Sequence, residues 1–123
     1  MGKKILVADD EPNILKVLAS RLQANGYEVI TASNGMEAVM KAHNEKPALV
    51  ILDIRMPAGS GINVCESLKK SKDTEKIPLI FITAYPSQEI KEKALEMGVG
   101  AFIAKPFEDK DLLAKVKNAL GEE

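Results

Sequence analysis

The segment Ala48-Leu49-Val50-Ile51-Leu52-Asp53-Ile54-Arg55-Met56-Pro57 carries more architectural information than any other in this chain. Its apolar part is short and β-branched, as in a strand buried on both faces. A carboxylate closes it. Asp53 is therefore expected at the carboxyl edge of a sheet, where open α/β sheets bind their ligands. The run Lys4-Ile5-Leu6-Val7-Ala8 repeats the pattern and leads into Asp9 and Asp10. Three carboxylates should thus meet at one edge. Like charges at close range are unfavourable, and hard oxygen ligands suit Mg²⁺.

Outward from these two runs, strand-like and helix-like segments alternate. The strands are predicted at 5–8, 28–32, 49–52, 79–83 and 101–104. The first helix is predicted over 12–25, with Pro12 suited to a first turn and Gly26 to a stop. The second covers 35–44, with Ser33 and Asn34 as candidate caps. The third covers 60–71, and the fourth begins near Ser87 and stops at Gly98. The fifth covers 109–120, with Leu112, Leu113, Val116 and Leu120 at helical spacing. Strict alternation argues for an α/β fold with a parallel sheet and helices on both faces. Right-handed crossovers leave few topologies. The expectation is a flavodoxin-like, doubly wound (βα)5 fold with strand order 2-1-3-4-5. That order sets strands 1 and 3 side by side and gathers Asp9, Asp10 and Asp53 at the switch point.

A chain of 123 residues, 46% hydrophobic and 28% charged, is long enough for one real core. A single domain over 1–123 with no output domain is expected. The net charge of −1 leaves no basic footprint for direct nucleic-acid binding. No apolar run approaches a membrane span. The lone cysteine, Cys65, cannot form an internal disulfide and reads as core filler, which fits a reducing cytoplasm. His43 reads as a helix-end residue rather than a ligand.

Two further strand ends complete a constellation. Thr83-Ala84 closes the fourth strand and Lys105-Pro106-Phe107 follows the fifth. Acids, a hydroxyl and an amine at one edge suit transfer of a phosphoryl group to a carboxylate, which forms an acyl phosphate. The protein must then mainly position groups and neutralise charge on the equatorial oxygens. In this reading Mg²⁺ or Mn²⁺ is held by Asp10 and Asp53, with Asp9 acting through water. Lys105, the Thr83 hydroxyl and the Ala84 backbone N–H bind the phosphoryl oxygens. Taken alone, each piece is ordinary: acids favour a helix N-terminus, and most lysines are solvated. The joint pattern carries the argument.

Asp9-Asp10-Glu11, Asp53 with Met56-Pro57 and Gly61, Thr83-Ala84, and Lys105-Pro106-Phe107 together resemble the receiver domain of two-component response regulators, over essentially the whole chain. The resemblance implies that Asp53 accepts a phosphoryl group from a phosphohistidine on a sensor histidine kinase or a histidine phosphotransfer protein. It implies metal ligation by Asp10, Asp53 and the main-chain carbonyl of Arg55, and a cis peptide at Lys105-Pro106. It also implies a switch of Thr83 and Phe102 that alters the face formed by helix 4, strand 5 and helix 5 for a downstream protein target. Such a protein is a phosphoacceptor rather than an enzyme with external turnover. It is expected as a cytoplasmic monomer, and dimerisation on phosphorylation is compatible with the pattern. Ser60 stands where an acid often precedes the glycine in this family, and an Ala-Asp pair common after Gly98 is absent.

Ile14 and Val17 fall beside the Leu15, Leu18 and Leu22 stripe of helix 1. They are expected, with Pro57, Pro106 and Phe107, to dock a partner near Asp53; the alternative for Ile14 and Val17 is a wide core stripe. Arg55 and Tyr85, two residues beyond Asp53 and Thr83, are expected to overhang the site and slow hydrolysis. The main alternative is a Mg²⁺-dependent aspartate-nucleophile phosphatase on small molecules. It needs a second acid two residues after the nucleophile, where this chain has Arg55. A flavin carrier on the same fold needs a Ser/Thr/Gly-rich loop after strand 1, where this chain has Asp-Asp-Glu-Pro.

Overall fold

A computed structural model of the chain describes residues 2–55, 61–99 and 101–122. Five strands and five helices alternate: β1 (Lys4–Ala8), α1 (Pro12–Ala24), β2 (Glu28–Ala32), α2 (Gly35–Glu45), β3 (Leu49–Asp53), α3 (Gly61–Lys70), β4 (Leu79–Thr83), α4 (Gln88–Glu96), β5 (Ala101–Ala104) and α5 (Asp109–Ala119). All strand pairs are parallel, in the order β2-β1-β3-β4-β5. The expected fold is the observed one. Element ends differ by a residue or two, and Asp53 is the last residue of its strand rather than the first after it.

Side chains alternate across a strand, so each strand feeds two cores. Leu6, Ala8, Val50, Leu52 and Phe81 pack with α2, α3 and α4, where Ala38, Val64, Cys65, Leu68 and Ala94 are buried. Ile5, Val7, Leu49, Ile51, Ile80, Ile82 and Ile103 pack with α1 and α5 through Leu18, Leu22, Leu112 and Val116. Full burial of such a side chain stabilises by about 1.5–3 kcal/mol. Only β3 and β4 are buried at every residue; β2 and β5, at the sheet edges, are partly exposed. Burial holds the Cys65 thiol above its ordinary pKa, consistent with a core role.

The helix boundaries have local causes. Pro12 opens α1, and Gly26 follows it at φ +91°, a left-handed conformation that suits glycine. The cap of α2 is Asn34, whose side chain accepts from the Glu37 N–H. Ser33 does not cap the helix: its N–H donates to Glu37 Oε1, and this bond is the leading cause that lowers the Glu37 pKa. Ser87 caps α4 by accepting from the Ile90 N–H at 3.2 Å. Among the described residues no helix is long and apolar enough to cross a membrane.

Candidate functional site at the carboxyl edge of the sheet

The register of the parallel pairs brings the ends of β1, β3, β4 and β5 to one edge. Asp53 lies opposite Ile82, and Thr83 opposite Ala104. Four buried polar residues are described, and three of them stand here: Asp9, Asp53 and Thr83. The fourth, Thr74, donates to the Leu68 carbonyl elsewhere.

Three strand ends share one device. Asp9 Oδ1 accepts from the Glu11 N–H at 3.0 Å. Asp53 Oδ1 accepts from the Arg55 N–H at 3.0 Å. Thr83 Oγ1 accepts from the Tyr85 N–H at 3.1 Å. Short polar side chains often bond the backbone two residues on where a strand turns into a loop. Each bond orients its side chain and leaves one group free: the second oxygen of each carboxylate, and the hydroxyl proton of Thr83.

Those free oxygens face Lys105. Its side chain is only 8% exposed. The ammonium donates to Glu11 Oε1 at 3.0 Å and to Asp53 Oδ2 at 3.3 Å. It also lies 2.8 Å from Asp9 Oδ2, an ion pair without hydrogen-bond alignment, which leaves that fully buried oxygen short of a donor. The Lys105 backbone N–H donates to the Thr83 carbonyl at 2.8 Å, and the Lys105–Pro106 peptide is cis.

The electrostatics are those of several acids sharing one cation. Burial is the main reason the Asp53 pKa rises to about 6, and the Asp9 charge adds to it; the Arg55 N–H and Lys105 oppose the rise. Burial works against the Lys105 charge, but its contacts with Asp9 and Glu11 and the charge of Asp53 outweigh it. They hold the ammonium above its ordinary range. Both members of the Lys105–Asp53 pair therefore titrate high, because the lysine draws on three carboxylates while Asp53 also faces Asp9. Asp9, Asp10, Glu11 and Asp53 each offer one carboxylate oxygen, and these four lie within 4.8 Å of one another. Such a set of hard oxygens is chemically suited to a small divalent cation.

The expected residues are brought together with some corrections. Asp10 lies in the cluster and is exposed. Asp9 is fully buried and pairs with Lys105 at 2.8 Å, a contact beside its expected role towards the metal rather than in place of it. Arg55 and Tyr85, both exposed, form a cation–π pair, with the guanidinium over the Tyr85 ring, 4.7 Å from its centroid. Ala84 and Pro106 are exposed, and Phe107 is half-buried against the α1/α5 core. Ile14 does not fall off the core stripe; it packs half-buried against it, and only Val17, 40% exposed, stands clear. Phe102 is half-buried against the opposite core and lines a depression of about 690 Å³ with Lys91, Ala104, Phe107 and Lys115. Lys115 donates to its carbonyl at 2.8 Å. Met56, Pro57, for which a docking role was expected, and Ser60 lie outside the described residues.

Sequence reasoning gave Glu11 no role. Its ion pair with Lys105 spans 94 residues of sequence and leaves no periodic signature. The available signal was positional: Glu11 stands two residues past a strand-end acid, as Arg55 does.

Gly61 lies close against the backbone of Asp53 and Ile54. A Cβ at Gly61 would lie 2.5 Å from the Asp53 carbonyl oxygen and 2.8 Å from the Ile54 Cα. The Gly61 N–H donates to the Ile54 carbonyl at 2.9 Å.

Comparison with known proteins agrees with this geometry. The chain is 42% identical over 120 residues to the alkaline phosphatase synthesis transcriptional regulatory protein PhoP of Bacillus subtilis (strain 168), covering 98% of this chain and 49% of that protein. It is 43% identical to a probable transcriptional regulator, ycf27, of Pyropia yezoensis, covering 96% of this chain and 47% of the relative. The chain thus spans about half the length of these curated relatives. Among solved structures, the chemotaxis protein CheY4 of Vibrio cholerae superposes with a TM-score of 0.92 at 29% identity, covering 98% of this chain and all of that one. The receiver domain of a sensor histidine kinase from Pseudomonas aeruginosa PAO1 has a magnesium ion coordinated in its active site cleft. It superposes with a TM-score of 0.91 at 26% identity, covering 99% and 100% of the two chains. A family model described as the response regulator receiver domain matches residues 5–117. On sequence, fold and site together, the chain belongs to the receiver domain family of two-component response regulators.

Proposed function

We propose that Asp53 is the phosphoacceptor of this receiver and that the buried Lys105, gathered with three carboxylates, is the group that receives the transferred charge. The single observation that supports this most is the pairing of an oriented, nearly buried carboxylate with an ammonium at 3.3 Å. Asp53 Oδ2 attacks phosphorus in line, while Oδ1 stays tied to the Arg55 N–H. The bond from phosphorus to the donor imidazole nitrogen breaks, and its electron pair stays with the imidazole. A phosphohistidine of a sensor histidine kinase or histidine phosphotransfer protein is the donor class.

The acidic set fits Mg²⁺ or Mn²⁺, because the carboxylates converge and one buried oxygen lacks an aligned donor. Asp10, Asp53 and the main-chain carbonyl of Arg55 would hold the ion, with Asp9 beside it. When bound, the ion supplies positive charge to the phosphoryl oxygens. Lys105, the Thr83 hydroxyl and the Ala84 N–H bind the remaining oxygens. The Arg55–Tyr85 stack hinders the approach of water to the acyl phosphate.

Readout follows from Thr83. When its hydroxyl turns to the phosphoryl group, the Phe102 ring repacks and the α4-β5-α5 face changes for a downstream protein target. Phe102 has no hydroxyl, so the signal is one of packing. Moving such an equilibrium from 1:99 to 99:1 needs about 5.5 kcal/mol of differential interaction.

The test is incubation with acetyl phosphate or phosphoramidate, with and without Mg²⁺, followed by intact mass and peptide mapping. One phosphate-sized adduct on Asp53, dependent on Mg²⁺ and absent from Asp53→Asn, is expected. An equal adduct on Asp53→Asn rejects the assignment.

A further inference from the structure

Glu11 is the odd member of the Lys105 cluster. Asp9 and Asp53 are buried, whereas the Glu11 side chain is 57% exposed at the rim. Its own backbone N–H anchors Asp9 Oδ1, so the residue is fixed at its base and free at its tip. An ammonium has three protons, and here three carboxylates surround it. A phosphoryl group built on Asp53 brings new anionic oxygens to the same ammonium. Those oxygens compete for it with Glu11 and Asp53, the two carboxylates that accept its aligned hydrogen bonds. Asp9 is enclosed and Asp53 carries the new bond, so the partner that can leave without being stranded away from water is Glu11.

Resting on the assignment of Asp53 as phosphoacceptor, we infer that Glu11 is a positioning residue that holds Lys105 in the unphosphorylated state and releases it to the phosphoryl group. Glu11 touches neither phosphorus nor the attacking oxygen. It acts by setting how much of the Lys105 interaction is already satisfied before the reaction. The stronger the Lys105–Glu11 pair, the less the phosphorylated state gains. Glu11 therefore tunes the bias of the switch without altering its chemistry.

The reading is tested with beryllofluoride, a stand-in for the phosphoryl group, titrated at saturating Mg²⁺ into wild type, Glu11→Gln, Lys105→Met and the double variant. Partly exposed ion pairs are worth little, so Glu11→Gln should bind beryllofluoride about two- to fivefold more tightly than wild type. In the Lys105→Met background the same substitution should change affinity by less than about 1.5-fold, because the pair it removes is already gone. An equal gain in both backgrounds shows simple repulsion between Glu11 and the anion and overturns the inference. So does an unchanged or weakened affinity in Glu11→Gln. Where Lys105→Met binds too weakly to titrate, the Glu11 side-chain carboxyl ¹³C shift decides. On beryllofluoride saturation of wild type it should move to its value in unliganded Lys105→Met; a shift that stays put overturns the exchange. Failure of the phosphoacceptor reading looks different: wild type itself then takes up no beryllofluoride at the Asp53 pocket.

Discussion

Replacing Asp53 by asparagine should stabilise the protein when no divalent ion is present. Asp53 is buried beside Asp9, and its pKa stands near 6 against an ordinary value of 3.8. A native pKa above the unfolded one means that the folded state binds the proton more tightly. The associated stability is fully present below about pH 4 and is lost as the pH rises through about 6. Two pKa units at about 1.4 kcal/mol each give a penalty of about 3 kcal/mol at pH 7. Lys105 titrates far above this window, so it does not blur the result. The amide of the variant carries no charge and escapes the penalty. Urea unfolding in EDTA at pH 4, 5, 6, 7 and 8 reads the effect. With a urea slope of about 1–3 kcal/mol/M, Asp53→Asn should unfold about 1–3 M later than wild type at pH 7. The gap should close towards pH 4 and level off above pH 6. Added Mg²⁺ should narrow it again, because an ion that binds the native wild type stabilises it by mass action. A gap that is absent at pH 7, or the same at pH 4 and pH 8, refutes the reasoning about shared charge at this edge.

Three further outcomes are expected. Gly61→Ala should lower stability by about 1–3 kcal/mol, because its methyl group meets the Asp53 backbone at 2.5 Å; it should also slow labelling by acetyl phosphate, and unchanged values for both would show that the loop gives way freely. Arg55→Ala and Tyr85→Ala should each shorten the aspartyl-phosphate lifetime, measured by loss of the mass adduct after donor removal, since either one breaks the stack. Val17→Ala should slow phosphotransfer from a histidine donor with less than about 0.5 kcal/mol lost in urea unfolding, as expected of an exposed site; Ile14→Ala should cost stability as well, because that side chain packs on the core.

The sheet was legible because buried parallel strands leave unbroken apolar runs, and the acids that end them mark the edge. The runs at Leu49 to Asp53 and Leu79 to Thr83 needed little else. The edge strands β2 and β5 were harder, being partly exposed, but the alternation with helices located them. The constellation of Asp9, Asp53, Thr83 and Lys105 followed once the strand order was known. What stayed hidden depends on the reach of long side chains. The Glu11–Lys105 pair, the Arg55–Tyr85 stack and the Tyr27–Glu122 hydrogen bond at 2.7 Å join loops or ends remote in sequence. That last contact adds to burial in pushing the Tyr27 phenol to about 12. Helical spacing assigned Ile14 to the margin of α1, yet it packs half-buried against the core that α1, α5 and the sheet share.

The three strand-end turns have a design consequence. Asp9, Asp53 and Thr83 each bend the chain back with one side-chain atom, and the residue whose N–H closes each turn is Glu11, Arg55 or Tyr85. Those three are exposed, so each buried polar group at this edge has a solvent-facing residue of its own loop two positions on. An aspartate is the longest acid that closes such a tight ring; a glutamate in place of Asp53 would keep the charge but lose the aim. The exposed side chains face no such limit, so under the proposed function the lifetime of the phosphoryl group is open to change there without moving Asp53.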